Sequence, residues 1–394
     1  MTIVYRPVGP DERAAFYQNA AMAFGGTAQR WEENGALSPG ASLRGLYVDG
    51  QLVAQLELRP SNVNTGTYAV PCWGLGGVAT RPDQRRRGYA AQLLHETCAE
   101  LQSQQIPLTM LVPAKYSFYQ RYGWAVFHER RRYTAPPSAF ASFQQAVGQF
   151  TPAGPDEIPE LDQIYRNALR GRFGPLERSP EWWQIEVLGH GWSQKHVQIW
   201  RDDQGRGRAY LIYRIDGRHA DQRIRCREMV ALDPVARGQL FRYLASHSEQ
   251  CREVQFYAPP DAPVSLLFPD PLECLIEPGL MLRIVDLLPL LSGLVAAPDL
   301  AGRVVLGITD AWQSGNAGIY ALECAKGVCQ VERLPNATPA DLTCDIRVFT
   351  QIFTRYLRAR TAAAFGLLAV QQRSALALFD ALFTGLAPFC SDDF

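Results

Sequence analysis

Val78-Ala79-Thr80-Arg81-Pro82-Asp83-Gln84-Arg85-Arg86-Arg87-Gly88-Tyr89-Ala90-Ala91 is the stretch on which the reading of this chain turns. An apolar run from Cys72 to Ala79 leads into it and reads as a buried strand. Pro82 ends that strand, because it has no N–H to give to a ladder. Beyond Ala90, residues Leu93, Leu94, Cys98 and Leu101 recur at helical spacing. The order is therefore strand, tight basic loop, helix. The first N–H groups of a helix lack intrahelical partners and carry the positive end of the macrodipole. Gly88 lets the backbone approach an anion closely, and Ala90 keeps the wall small. Arg85, Arg86 and Arg87 add guanidinium forks that match phosphate oxygens. The arrangement suits a pyrophosphate. It contains neither the Gly-Lys-Ser/Thr of a Walker loop nor the GxGxxG of a dinucleotide fold.

The basic loop is a local feature. Over 394 residues, 39 basic and 39 acidic side chains give a formal net charge of zero, which argues against a general nucleic-acid binder. Apolar content of 47% is ample for packed cores, and the length predicts two or three domains. Nine cysteines, odd in number and without a CxxC, read as buried thiols in a reducing cytosol. The six histidines show no metal-ligand spacing, so no metal is expected. No secretory leader is legible, and no apolar run reaches the roughly 18 residues a membrane span needs. A cytoplasmic protein without membrane or nucleic-acid partners is the expectation.

Along the chain, Asp11 is placed to cap a helix running to about Phe24. Asp49-Gly50 marks a hairpin between Leu46–Tyr47 and Leu52–Leu58. Leu108 to Val112 reads as a strand, and Gly123 as the terminator of a short helix within Ala114-Lys115-Tyr116-Ser117-Phe118-Tyr119-Gln120-Arg121-Tyr122-Gly123-Trp124. Residues 134–155 have the composition of a linker. After it, Gly154-Pro155-Asp156-Glu157 echoes Gly9-Pro10-Asp11-Glu12, at an offset of 156 − 11 = 145. A second hairpin follows, bracketed by Val197–Trp200 and Ala209–Ile215. Then Met229-Val230-Ala231-Leu232-Asp233-Pro234 echoes Val78-Ala79-Thr80-Arg81-Pro82, at 230 − 78 = 152. Two echoes in one order predict an internal duplication whose second copy has lost the arginine loop. Chance likeness between short strand–helix units is the alternative. From about Met281 the composition changes again. Three strands of a small antiparallel sheet, a helix over Cys344–Leu357 and a last helix over Ala375–Phe383 are expected there.

The spacing Arg85-x-x-Gly88-x-Ala90 after a strand resembles the acyl-CoA loop of the GNAT superfamily of N-acetyltransferases. The turn ending in Gly123-Trp124 is similar to that superfamily's Gly-aromatic pair. One such unit, one degenerate copy and a small α+β third domain resemble the Eis (enhanced intracellular survival) family over the whole chain. The resemblance implies a mixed α+β, α/β fold with tandem GNAT-like domains of mixed sheets and flanking helices, then a sterol-carrier-like domain. The expected spans are 1–140, 150–285 and 286–394. It also implies acetyl-CoA as cosubstrate, a cationic amine such as an aminoglycoside or polyamine as acceptor, and assembly into hexamers. The family's CoA contacts map to Val78, Ala79 and Thr80, to the loop carrying Arg85, Arg86, Arg87, Gly88, Tyr89, Ala90 and Ala91, and to Ala114 and Lys115. The family often has a Ser-Glu-Gly-Gly run at the last of these places; Ala114-Lys115-Tyr116-Ser117 lacks its glycines and adds a lysine.

Acetylating an amine requires removing its proton, polarising and placing the thioester, and protonating the departing thiolate. A tyrosine with a pKa of about 10 is a reasonable acid for a thiolate whose conjugate acid lies near 8.5. Spacing alone does not choose among Tyr116, Tyr119 and Tyr122; the resemblance implies Tyr119. It likewise implies that the carboxylate of the last residue, Phe394, accepts the amine's proton. Asp392 and Asp393 would add negative charge for a cation, or stand solvated. Acetylation of protein lysines, or a lipid carrier with a vestigial GNAT unit, are the competing readings.

Overall fold

A computed structural model describes residues 1–35, 40–189, 195–218 and 221–393. It forms two compact units. The first comprises residues 1–128 and 280–388 with Asp393; the second comprises 129–279 and 389–392.

In the first unit, a sheet runs in the spatial order Ile3–Pro7, Ser42–Val48, Gln51–Arg59, Ala69–Thr80, Leu108–Leu111, Met281–Ile284, Ala125–Val126. The expected hairpin is there, with Asp49 and Gly50 at φ 47° and 80°, the left-handed pair that a tight hairpin requires. Helix Tyr89–Ser103 buries Leu93, Leu94, Cys98 and Leu101 against Leu46, Ala54, Leu56 and Leu58. On the alternate positions of the same strand, Gln55 reaches the Phe16 carbonyl at 2.8 Å, which ties down helix Arg13–Phe24. Asp11 does not cap that helix. A 3-10 turn, Pro10–Glu12, precedes it, and the Glu12 carboxylate accepts the Gly9 N–H at 2.9 Å.

Strand Ala69–Thr80 splays. It pairs in parallel with Leu108–Leu111 only through Cys72–Gly74, while its other edge continues along Gln51–Arg59 as far as Thr80. The register slips between Gln55 and Glu57, and Gly77 sits opposite that slip at φ 57°. From residue 75 to 80 one edge of the strand is left without a strand partner, which makes a V-shaped notch.

Met281–Ile284 was expected at the boundary of a third domain. It lies instead inside the first sheet, between Leu108–Leu111 and Ala125–Val126, and all four residues are buried. A strand covered on both faces reads as a near-continuous apolar run wherever in the chain it falls, interrupted here by Arg283. The rest of the C-terminal segment forms a five-stranded sheet in the order Val328–Leu334, Gly318–Ala325, Gly302–Thr309, Leu342–Asp345, Leu368–Val370. It is mixed rather than antiparallel, because Leu306 pairs with Leu342 in parallel. Cys344 lies on a strand and not on the expected helix. That helix, Ile346–Phe353, begins where Asp345 accepts the Arg347 N–H at 2.9 Å. Phe349, Phe353, Phe379 and Phe383 fill the space between it and helix Arg373–Leu382, with ring centroids 5.0–6.4 Å apart.

The second unit repeats the first. Its sheet runs Glu273–Pro278, Glu129–Ala135, Glu253–Ala258, Arg223–Ala231, Gly207–Asp216, Lys195–Asp202, Gly148–Pro152. Arg223–Ala231 pairs in parallel with Glu253–Ala258 only over Arg223–Arg225 and then splays. The start of this pairing maps from the first copy at 223 − 72 = 151. The Glu157 carboxylate accepts the Gly154 N–H at 2.7 Å, just as Glu12 does for Gly9. The expected linker is mostly structured: Glu129–Ala135 and Gly148–Pro152 are strands of this sheet. Two of the nine cysteines are not thiols. Cys324 and Cys329 are direct partners across a hairpin and form a disulfide. Cys274 is exposed, and the six others are buried.

Candidate active site

The arginine loop is open and uncommitted. Gly88, at φ 85°, precedes helix Tyr89–Ser103, and no side chain caps that helix. A β-carbon at Gly88 would meet nothing within 4 Å. Arg85, Arg86, Arg87 and Gly88 are exposed. Among the described residues none of the three arginines pairs with a carboxylate; Arg85 Nε only approaches the Thr80 carbonyl at 3.4 Å. Asp83, the one acid of the loop, is held by Arg81 at 2.7 Å. That contact and the Gln84 amide hold its carboxyl down to about 2. The loop's positive field is thus left for an external anion. The free edge of Val78, Ala79 and Thr80 leads directly into it. Together they fit an extended pantetheine laid along the strand edge, with its pyrophosphate on the helix terminus.

Across the notch, strand Leu108–Leu111 runs into Ala114 and Lys115, both exposed, and then into helix Tyr116–Gln120. That helix ends tightly: the N–H groups of Tyr122 and Trp124 return to the Tyr119 carbonyl at 2.9 and 3.3 Å. Tyr119 is 6% exposed and wedged between Phe118 and Trp124, with centroids 5.0 and 6.2 Å away. Its hydroxyl bonds to nothing among the described residues, and burial pushes its pKa up to about 12. Tyr122 packs in a different direction, against Trp312 at 5.3 Å, and Trp312 also covers Trp124 at 5.8 Å. Of the three tyrosines, Tyr119 is the one buried beside the turn with a hydroxyl free to donate.

The second copy differs from this loop in two ways. It lacks the arginines, and Asp233 fills the helix terminus with its own carboxylate. That side chain accepts the Ala236 N–H at 2.8 Å and pairs with Arg208 at 2.7 Å. The macrodipole at helix Pro234–Ala245 already has its anion.

Phe394 lies outside the described residues. The acids before it separate. Asp392, considered as a charge for a cationic substrate, is sealed in the second unit, 1% exposed and held by Arg178 at 3.0 Å. It is not available to an acceptor. Three further residues were not flagged by the sequence: Trp312, which roofs the Tyr119 turn, and the buried ion pair Arg283–Asp310 at 2.6 Å. A lone arginine inside Met281–Ile284 is the signal that could have found that pair. Among the described residues no group of three His, Cys, Asp or Glu side chains is placed to hold a metal, and no helix is long and apolar enough to cross a membrane.

Comparison with known proteins bears on the domains and the fold. Residues 4–127 match an acetyltransferase (GNAT) domain, residues 174–284 match a second acetyltransferase (GNAT) domain, and residues 283–391 match a sterol carrier protein domain. An uncharacterized N-acetyltransferase of Streptomyces griseus is 24% identical, with both chains covered in full. The crystal structure of a GCN5-related N-acetyltransferase from Anabaena variabilis superposes with a TM-score of 0.89 at 21% identity, over the whole of both chains. Eis1 from Mycobacterium abscessus superposes with a TM-score of 0.80 at 19% identity, again over both chains entire.

Proposed function

We propose that this chain, a tandem GNAT acetyltransferase with the domain order and fold of the Eis family, transfers acetyl from acetyl-CoA to primary amines of a small polycationic acceptor, of aminoglycoside or polyamine kind. The observation that carries the reading is the uncapped helix terminus at Gly88, with three unpaired arginines beside the free edge of Val78–Thr80. Arg85, Arg86 and Arg87 and the N–H groups from Gly88 to Ala91 bind the pyrophosphate. The edge of Val78, Ala79 and Thr80 orders the pantetheine and directs N–H groups at the thioester carbonyl. Ala114 and Lys115 line the opposite wall.

Tyr119 donates its proton to the departing sulfur. Burial raises the Tyr119 hydroxyl to about 12, above a thiol of pKa about 8.5, so full proton transfer by itself is uphill. Tyr119 therefore acts as a hydrogen-bond donor while the thiolate charge develops, and the proton crosses as the amine's proton leaves. The Phe394 carboxylate takes the proton from the amine, directly or through water. The acceptor class and the hexamer rest on the family resemblance. The carrier alternative needs an empty apolar interior in the third domain, where the four packed phenylalanines stand.

The test is thiol release from acetyl-CoA against aminoglycosides, polyamines and lysine peptides, with mass analysis of the acetylated product. Turnover with several small polyamines supports the proposal. Turnover confined to lysine peptides replaces the acceptor class, and no turnover with any amine overturns the reading.

A further inference from the structure

Strand Gln51–Arg59 carries two buried acceptors that the fold leaves without donors. Glu57 is 6% exposed, and Gln55 is fully buried. The Glu57 oxygen Oε2 takes Arg59 Nη2 at 3.0 Å. Its other oxygen, Oε1, has no hydrogen-bond partner among the described residues. The Gln55 amide donates to the Phe16 carbonyl at 2.8 Å, and its own oxygen is likewise buried and unpartnered. Residues two apart on a strand share one face, so the two acceptors stand side by side. Other carboxylates of the same unit are fully engaged: Glu12, Asp83 and Glu100 each give both oxygens to one arginine. A buried carboxylate oxygen without a donor costs free energy that a partner would recover.

The pair stands at the notch. Glu57 is the cross-strand partner of Gly76, beside the slip in register. Its carboxylate lies over that glycine: a β-carbon at Gly76 would come within 3.3 Å of Oε2. At Gly77 a β-carbon would meet nothing within 4 Å, so the buried acid borders open space where the notch begins. Helix Arg13–Phe24 brings Tyr17 to the same place. Burial raises the Tyr17 hydroxyl's pKa, Arg13 opposes the rise, and the charges of Glu57 and Glu32 add to it.

Both orphan groups are acceptors, so the partner they lack is a donor. An ammonium offers three N–H bonds and no acceptor. Val78 lies two residues beyond Gly76, at most about 7 Å along the strand. An extended diamine with a four- or five-carbon chain spans about 6–7 Å between its nitrogens by ordinary bond lengths. We propose that Glu57, with the Gln55 carbonyl, holds a second ammonium of the acceptor, and so selects diamines and polyamines over monoamines. The ammonium it holds is not the amine that is acetylated, and Glu57 takes no proton from it. The inference rests on the reading of the chain as an amine acetyltransferase with its thioester at Val78–Thr80.

The test uses the full chain with acetyl-CoA and two amines of equal carbon length, putrescine and butylamine, in wild type, Glu57→Gln and Glu57→Asp. Thiol release gives KM and kcat. Thermal midpoints with CoA and each amine report binding without turnover. The wild type is expected to show a KM at least tenfold lower for putrescine, and a midpoint raised by putrescine and not by butylamine. Glu57→Gln keeps the size of the side chain and removes its charge. It should shrink the preference for putrescine at least tenfold and abolish the midpoint shift. Glu57→Asp should recover part of the preference, and it keeps the test open where Glu57→Gln fails to fold. Equal KM for the two amines in wild type, or a preference unchanged in Glu57→Gln, would overturn the inference and leave the acetyltransferase standing. A putrescine shift lost in Glu57→Gln, without turnover of any amine by the wild type, would support the subsite and overturn the functional reading instead.

Discussion

The α-carbon of Gly123 lies against the guanidinium of Arg283: a β-carbon at Gly123 would come within 2.4 Å of Nη1 and 2.6 Å of Cζ. Gly123, at φ 85°, closes the turn that carries Tyr119. Arg283 is fully buried and donates to Asp310, whose other oxygen takes the N–H groups of Trp312 and Gln313. Turn, inserted strand and third-domain loop thus meet at one cation. Gly123→Ala strains the backbone and drives a methyl into a guanidinium that is anchored at its far side. A loss of about 2–4 kcal/mol is expected in urea unfolding, with kcat falling more than acetyl-CoA affinity. An unchanged urea midpoint would refute the joint.

Tyr119→Phe is expected to lower kcat by about 10²–10³-fold while acetyl-CoA KM stays within a factor of three. Because burial holds the hydroxyl's pKa near 12, Tyr119 remains protonated from pH 6 to 10, so the deficit should be the same at each pH. Stability follows the same sign. The folded-state pKa lies above the free value of about 10, so the contribution is complete below pH 10 and is lost as pH rises toward 12. Thermal midpoints of Tyr119→Phe should fall less steeply over that window. A deficit that closes as pH rises would point to another acid.

Arg86→Ala and Arg87→Ala should each raise acetyl-CoA KM about five- to tenfold with little change in kcat, because both act on an anion that the reaction leaves intact. The loop arginines are exposed, so salt screens them. Wild-type KM should rise between 50 and 500 mM NaCl, and the double variant should respond less. Equal salt slopes would place the pyrophosphate elsewhere.

Asp233→Ala removes the cap of the second copy's helix together with its bond to Arg208. A loss of about 1–2 kcal/mol is expected, with acetyl-CoA KM unchanged. A rise in KM would mean that the second copy also binds CoA.

The local units were legible because each is written within about twenty residues. The apolar run ending at Ala79, the arginines and the 3–4 spacing after Ala90 specify the strand, loop and helix where they stand. Even the duplication shows, since Pro10–Glu12 and Pro155–Glu157 are repeated turns. What the sequence hid is pairing at a distance. Met281–Ile284 looks like any buried strand, and nothing local says that its partner is Leu108–Leu111. Cys324 and Cys329 become neighbours only once their hairpin register is set. Asp392 resembles a solvated acid because Arg178 lies 214 positions away, in a stretch without periodicity.

The inserted strand also sets a timetable. A ribosome makes Ala125–Val126 long before Met281–Ile284, the strand that must lie beside it; 281 − 126 = 155 residues separate them. At about 5–20 residues per second, the nascent catalytic sheet waits roughly 8–30 s with the edge of Leu108–Leu111 bare. In that interval the strands from Glu129–Ala135 to Glu273–Pro278, the whole of the second sheet, have all emerged. The second sheet has thus emerged whole before the first can close, although the core of the second unit still waits for Phe389–Asp392, the last stretch it takes in.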